Sequence, residues 1–199
     1  ASLEEALTRP YPAYEAVGIQ NPGGDYNQLA TTLLQIENEF YGTIRPKRVI
    51  RPGERPLHAL RERGVEYVEV RLMDLDPFEP IGLNADTARF LDLFLLHCLL
   101  EDSPPDSPDE IAAVKNNQHL TAARGREPGL LLQRLGQPVT LADWAADIVG
   151  QLEPVAAAMD AQDGGRAYAD ALAAARAALA APHTLPSARV LSAMRAEHA

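Results

Sequence analysis

The sequence predicts an α+β protein with few strands, confined to its N-terminal third, followed by a mostly helical region. Strand-like alternation of apolar and polar residues occurs only before residue 74, and capped helical patterns dominate from residue 84 onward. Two or three strands rarely make a self-sufficient sheet. The small β portion is therefore either part of a larger sheet supplied elsewhere, or the chain is a mixed α+β domain dominated by helix. We predict a β region with loops over residues 1–82 and a helical region packing on it over residues 83–199.

Charge and hydropathy exclude two classes of partner. The net charge of −10 argues against nucleic acid, because phosphate binding needs clustered basic residues. The longest apolar stretch, residues 90–100, is interrupted by Asp92 and His97 and is too short to span a bilayer. The start, Ser2 to Glu5, has no signal-peptide pattern. We expect a cytoplasmic protein without a membrane partner.

The N-terminal third alternates between loops and short elements. A short helical start is followed by proline- and glycine-rich loops up to residue 27. Residues 29–41 fit either a strand or a buried helix, and residues 45–49 fit a strand with a proline near its start. A short helix is predicted over residues 56–63, because Gly64 is a typical helix-ending residue.

Residues 65–73 alternate and predict the clearest strand of the chain. One face would carry apolar residues suited to a core, namely Val68, Val70 and Leu72. The opposite face would carry Tyr67, Glu69 and Arg71. An acid beside a guanidinium on one strand face suits a site for metal and phosphate. A surface ion pair is the alternative interpretation of the same pattern.

The second region is predicted to be helical throughout. The first helix is capped by Asn84 or Asp86 and runs to residue 100; it is apolar nearly all round, which predicts deep packing with Cys98 in the core. Residues 101–106 form an acidic, proline-broken connector, and Ser107 opens the next helix. Further helices are predicted from Thr140, over residues 167–181 after a Gly-Gly break, and from Ser187.

Familiar catalytic motifs are missing from the sequence. The histidines at 58, 97, 119, 183 and 198 have no zinc-ligand spacing, and no glycine-rich phosphate loop occurs. Asp74 and Asp76 could hold a metal or cap a turn before Pro77. Composition and spacing alone predict no more than an α+β protein with an undefined acidic site.

Several sequence blocks together resemble the proteobacterial type of glutamate–cysteine ligase, in its C-terminal portion only. These blocks are residues 34–41, 44–48, 66–71, 76–78, 80–82 and 90–94, with weaker similarity at 125–130 and 187–189. The resemblance implies a glutamine-synthetase-like antiparallel sheet. It also implies an enzyme of glutathione biosynthesis that joins glutamate to cysteine through an acyl phosphate, using ATP and Mg²⁺.

Three residues acquire roles from this resemblance. Glu69 would bind magnesium, Arg71 would be the catalytic, nucleotide-binding residue that holds the transferring phosphoryl group, and Tyr41 would line the cysteine pocket. The family's chain is more than twice as long, and most of its magnesium-binding acids lie in its N-terminal part. That part is therefore an expected partner. The resemblance implies that residues 1–82 are a partial catalytic β region, that residues 83–199 are the helical region packing on it, and that both belong to a fragment of a larger single catalytic domain. The fragment alone is predicted to be inactive.

Two other functions stay open at this point. The chain could be a truncated, non-catalytic relative that serves as a binding or interaction module. It could also belong to a carboxylate–amine ligase with a different amine acceptor.

Overall fold

A computed structural model describes residues 3–103 and 105–197, so Ser2, Pro104 and His198 of the predictions above lie outside it. The chain divides into two compact units, Ala1–Asp74 and Leu75–Ala199. Unit 1 contains short elements joined by long loops, and unit 2 is mainly helical. No helix within the described ranges is long and apolar enough to cross a membrane.

Unit 1 contains three short helices and one antiparallel pair of strands among its described residues. The helices are α1 (Leu3–Thr8), α2 (Pro12–Val17) and α3 (Pro56–Arg63), and the strands are β1 (Ile44–Lys47) and β2 (Tyr67–Val70). Gly64 follows α3 with φ of 71°, a backbone conformation that favours glycine, as predicted. In the β1–β2 register Arg45 lies opposite Glu69, and Lys47 lies opposite Tyr67.

The prediction of a strand or buried helix over residues 29–41 is wrong. Within this segment the structure has a 3₁₀ turn, Glu37–Glu39, one isolated bridge from Thr32 to Pro10, and irregular backbone around them. The side chain of Gln35 takes the place of a regular hydrogen-bond ladder: its Oε1 accepts from the N–H groups of Leu29 and Ala30 at 2.8 and 2.9 Å. Its Nε2 donates to the carbonyl of Ala30 at 3.0 Å. A side chain that satisfies local backbone groups competes with secondary structure.

Unit 1 has almost no core of its own among its described residues. Ala59 is the single residue there that is buried. Val68 and Leu72, predicted to face a core, are 43% and 51% exposed. That prediction fails within this chain because the sheet has only two strands, too few to support an apolar layer against the β2 side chains.

Unit 2 consists of six helices and one hairpin in its described part. The helices are α4 (Ala85–Leu100), α5 (Pro108–Arg124), α6 (Leu141–Gln151), α7 (Glu153–Asp163), α8 (Ala167–Ala180) and α9 (Pro186–Glu197); the strands are β3 (Leu131–Arg134) and β4 (Gln137–Thr140). The predicted caps are present, because Asn84, Ser107 and Thr140 accept hydrogen bonds from the first turns of α4, α5 and α6. The helix predicted from Thr140 is divided at Leu152, just before Pro154 at the start of α7.

The β3–β4 hairpin is absent from the sequence prediction, which made this region wholly helical. Leu135 and Gly136 join the strands with φ of 51° and 75°, the pattern of a type I′ turn. Asn117 of α5 fixes the hairpin in place: its Nδ2 donates to the Gln133 carbonyl at 2.7 Å, and its Oδ1 accepts from the Gln133 N–H at 2.9 Å. Asn117 is 7% exposed, so its buried side-chain amide pairs with the Gln133 backbone as the peptide group of a neighbouring strand would.

The core of unit 2 lies where α4, α6, α7 and α8 meet. Its buried members are Leu93, Val149, Leu152, Ala156 and Leu172. The last turn of α4 lies outside this cluster: Cys98 is exposed and Leu99 is 78% exposed. The prediction that Cys98 is a core residue is therefore wrong, because α4 buries only the face that carries Leu93. The mixed α+β class itself is confirmed.

Candidate functional site

Glu69 and Arg71 are in direct contact at the end of β2. Arg71, one residue beyond the strand, donates from Nε to Oε1 of Glu69. The second carboxylate oxygen, Oε2, lies 3.1 Å from Nζ of Lys47 in β1. Each oxygen of this single carboxylate therefore faces a different cation.

The two cations control the ionisation of Glu69. The hydrogen bond from Arg71, followed by that from Lys47, holds the pKa of the carboxyl below its usual range. The two contacts therefore favour the ionised form of Glu69 and engage both of its oxygens. The pair is also accessible, since the Arg71 side chain is half exposed and that of Glu69 about a quarter exposed.

Tyr41 is linked to this strand pair through Arg45. The Arg45 guanidinium carbon lies 4.9 Å from the centroid of the Tyr41 ring, which is a cation–π contact. The Tyr41 side chain is otherwise 81% exposed. The structure therefore places Tyr41 next to a residue that lies opposite Glu69, without a direct contact from Tyr41 to Glu69 or Arg71.

Arg45 is the unusual member of this group. Its Nε and Nη2 atoms are buried and have no hydrogen-bond acceptor among the described residues. An unsatisfied buried donor costs about 1–3 kcal/mol, and more when the donor is charged. Arg45 is therefore the member of this group whose donors the described residues leave unsatisfied.

Sequence reasoning missed Arg45 and Lys47 as members of the site. The signal was present: they are two residues apart in a predicted strand, so their side chains share a face. The sequence alone does not predict the register between β1 and β2. That register places the side chains of Arg45 and Lys47 on the sheet face that carries Glu69. We call the group Arg45, Lys47, Glu69 and Arg71 the charged face.

The described residues alone do not form a magnesium site. Across residues 3–103 and 105–197 no three histidine, cysteine or acidic side chains are grouped as metal ligands. Glu69 has a suitable donor for Mg²⁺, but one carboxylate between two cations is too little for a dication that prefers several oxygen ligands. Asp76 is used otherwise, since its Oδ1 accepts from the Phe78 N–H at 2.9 Å in a turn.

A second ion pair supports the segment that follows β1. Arg63 of α3 binds Glu54 through both terminal nitrogens and also donates from Nη2 to the Val49 carbonyl at 2.8 Å. The hydrogen bond from Arg63, followed by one from the Arg51 N–H, lowers the pKa of Glu54 to about 2. This cluster ties α3 to the loop after β1 and is structural in role.

The fold and the charged face define a mixed α+β protein with a strand pair suited to anionic ligands. The sequence model of the family described as glutamate–cysteine ligase matches residues 1–121. The chain is 52% identical over 194 residues to the glutamate–cysteine ligase of Azotobacter vinelandii and 50% identical over 200 residues to that of Pseudomonas paraeruginosa. It therefore belongs to the glutamate–cysteine ligase family.

The fold agrees with a solved structure of the same family. A crystal structure of the glutamate–cysteine ligase of Francisella tularensis, in complex with AMP, superimposes with a TM-score of 0.82 at 37% identity. That comparison covers 97% of this chain and 38% of the other. The two bacterial relatives are likewise covered to 36% of their length, against 98% of this chain. The chain thus spans little more than a third of these relatives, consistent with the predicted C-terminal portion.

Proposed function

We propose that this chain is the C-terminal part of an ATP-dependent glutamate–cysteine ligase, the enzyme that opens glutathione biosynthesis. The substrates would be glutamate, cysteine and ATP, and the rest of the same enzyme would be its partner, in the cytoplasm. The observation that carries this proposal is the Glu69–Arg71 contact at the end of β2, in a chain that belongs to this family. The AMP bound to the Francisella relative supports a nucleotide as ligand.

The proposed reaction passes through an acyl phosphate. The γ-carboxylate of glutamate attacks the γ-phosphorus of ATP and ADP leaves. The free amine of cysteine then attacks the acyl carbon, phosphate leaves, and the amine nitrogen loses a proton as the amide forms. Negative charge on the transferring phosphoryl oxygens is the main obstacle in the first step.

Arg71 would stabilise that phosphoryl charge. Its guanidinium is always protonated and presents several N–H donors, which suits phosphate oxygens. In the structure Nε is bound to Glu69, so the same carboxylate that would bind metal also orients the arginine. Tyr41 would line the pocket of the amine substrate, where its ring is held against Arg45.

The proposal includes binding of Mg²⁺ by the intact enzyme. Glu69 would be one ligand, with the remaining ligands outside this chain. We expect the chain alone to be inactive for that reason, and because unit 1 lacks a core among its described residues. The partly exposed apolar side chains Val68 and Leu72 give the rest of the enzyme a surface on which to pack.

The test uses the intact enzyme and measures γ-glutamylcysteine and ADP formation. Glu69→Gln and Arg71→Ala should each reduce kcat/KM about a hundredfold or more, because each removes a charge from the phosphoryl site. Glu66→Gln is the matched control: Glu66 precedes β2 and forms its ion pair with Arg48, at 3.6 Å. Unmodified turnover in both site variants would contradict the proposed roles.

The same assay separates the alternatives. A non-catalytic binding module would give no ADP even in the intact protein. A ligase with another acceptor would form ADP with glutamate but couple a different amine faster than cysteine.

A further inference from the structure

Strand β1 contributes two cations to the face of the sheet that carries Glu69. Arg45 is directly opposite Glu69 in the antiparallel register, and opposite residues project from the same side of a sheet. Lys47, two residues further along β1, lies on that side as well, with Nζ 3.1 Å from Glu69. Arg71, just after β2, contacts the same carboxylate.

The charged face has an excess of positive charge. Arg45, Lys47 and Arg71 are cationic at neutral pH, and Glu69 is the acid among the four. This concentration occurs in a chain with a net charge of −10, so it is a local feature and not the average of the surface. A clustered excess of this kind attracts ligands that carry more than one negative charge.

Arg45 has two buried donor nitrogens that lack an acceptor among the described residues. The Tyr41 ring occupies a face of its guanidinium, which leaves the N–H groups at the edge for acceptors in the guanidinium plane. Lys47, in contrast, is paired with Glu69 and would have to share its charge with a ligand.

A cavity of about 380 Å³ adjoins the two cations. Its walls include Arg45, Lys47 and Tyr67 of the strand pair, with Asn38 from the 3₁₀ turn. The acid in its lining, Glu37, is already engaged, since its Oε2 accepts from the Leu57 N–H at 2.9 Å. Arg48, also in the wall, is paired with Glu66. The volume is within the range of small-molecule sites.

We infer that Arg45 and Lys47 complete, together with Arg71, a three-cation clamp for the phosphate chain of the nucleotide. This inference rests on the proposed function, because it takes a nucleotide as the ligand. Lys47 exchanges its contact with Glu69 for a phosphate oxygen when the nucleotide binds. Arg45 donates to the phosphate chain from the nitrogens that otherwise lack an acceptor.

The test measures nucleotide binding to the intact enzyme apart from turnover. The variants are Arg45→Gln and Lys47→Gln, and the ligands are ADP, inorganic tripolyphosphate and adenosine. Each variant should raise the Kd of ADP and of tripolyphosphate at least tenfold, and leave the Kd of adenosine within twofold. The matched controls are Lys115→Gln and Arg55→Gln. Lys115 is the other lysine of the chain, on the exposed side of α5, and Arg55 is an exposed arginine before α3. Both controls should leave all three dissociation constants unchanged.

The outcomes distinguish this inference from the proposed function. Ligase activity of the unmodified enzyme tests the function by itself. An active enzyme whose ADP affinity is the same in both variants overturns the clamp alone. An Arg45→Gln protein with lower thermal stability and unchanged ADP affinity also overturns it, because the acceptor of Arg45 would then be a protein group.

A second measurement covers variants that do not fold. The side chains of Lys47 and Arg71 are one-third and one-half exposed, so salt screens their charges, and the Kd of ADP for the unmodified enzyme should rise with KCl. A Kd of ADP that is insensitive to KCl contradicts the clamp.

Discussion

Replacing Asn117 with alanine should release the β3–β4 hairpin from α5. The Asn117 amide makes two hydrogen bonds to the backbone of Gln133, at 2.7 and 2.9 Å, and the side chain is almost fully buried. Alanine removes both partners, and its higher helix propensity means that α5 itself is not weakened. The N–H and carbonyl of Gln133 then lose their acceptor and donor together.

The size of the effect follows from those two bonds. A typical hydrogen bond contributes about 0.5–1.5 kcal/mol net, so the pair contributes about 1–3 kcal/mol. Water can reach part of the freed backbone, because Gln133 itself is exposed, and this keeps the loss within that range. A loss of about 1–3 kcal/mol of protection speeds amide hydrogen exchange about fivefold to 150-fold.

Amide hydrogen exchange followed by NMR measures this directly. The Gln133 amide should exchange about fivefold to 150-fold faster in Asn117→Ala than in the unmodified protein. Asn116→Ala is the matched control, because Asn116 is the preceding residue of the same helix and is exposed. Equal Gln133 exchange rates in Asn117→Ala and Asn116→Ala would refute the reasoning.

Two further predictions concern the packing of unit 2 and the acid response of unit 1. Leu93→Ala should lower the free energy of unfolding of unit 2 by about 2–5 kcal/mol, because Leu93 is fully buried in its core. The same change at exposed Leu99 should lower it by under about 0.5 kcal/mol. Equal losses of the two variants in urea unfolding would contradict the core assignment. The pKa of Glu54, lowered from 4.5 to about 2, implies stabilisation that is complete above the unfolded value and lost as pH falls from 4.5 to about 2. The control is Glu15→Gln, which changes an exposed glutamate in α2. In thermal melts at neutral pH, Glu54→Gln should be less stable than this control, and the difference should vanish near pH 2. A difference that persists near pH 2 would rule out the Glu54–Arg63 ion pair as its cause.

Helix boundaries could be predicted from the sequence because their causes are local. Asn84, Ser107 and Thr140 cap α4, α5 and α6 by bonds within three residues, and Gly64 ends α3 through its own φ. Alternation along residues 65–73 placed Glu69 and Arg71 on one face, and their side chains are in contact although Arg71 lies one residue beyond β2.

Features that depend on distant residues were not predictable in the same way. Lys47 joins Glu69 only through the β1–β2 register, and the exposure of Cys98 depends on which helices reach the end of α4. The β3–β4 hairpin was missed for a local reason. Its two-residue turn has leucine at the position where asparagine, aspartate or glycine is the usual signal.

That leucine has a consequence for how the protein can be engineered. Leu135 adopts φ of 51° with an exposed side chain, and a residue other than glycine or asparagine in this conformation costs about 1–2 kcal/mol. The hairpin can therefore be stabilised at this position. Leu135→Asn would reduce the conformational cost of the positive φ without removing a buried contact. Unit 2 could be made more heat-resistant there while the charged face of unit 1 keeps its present side chains.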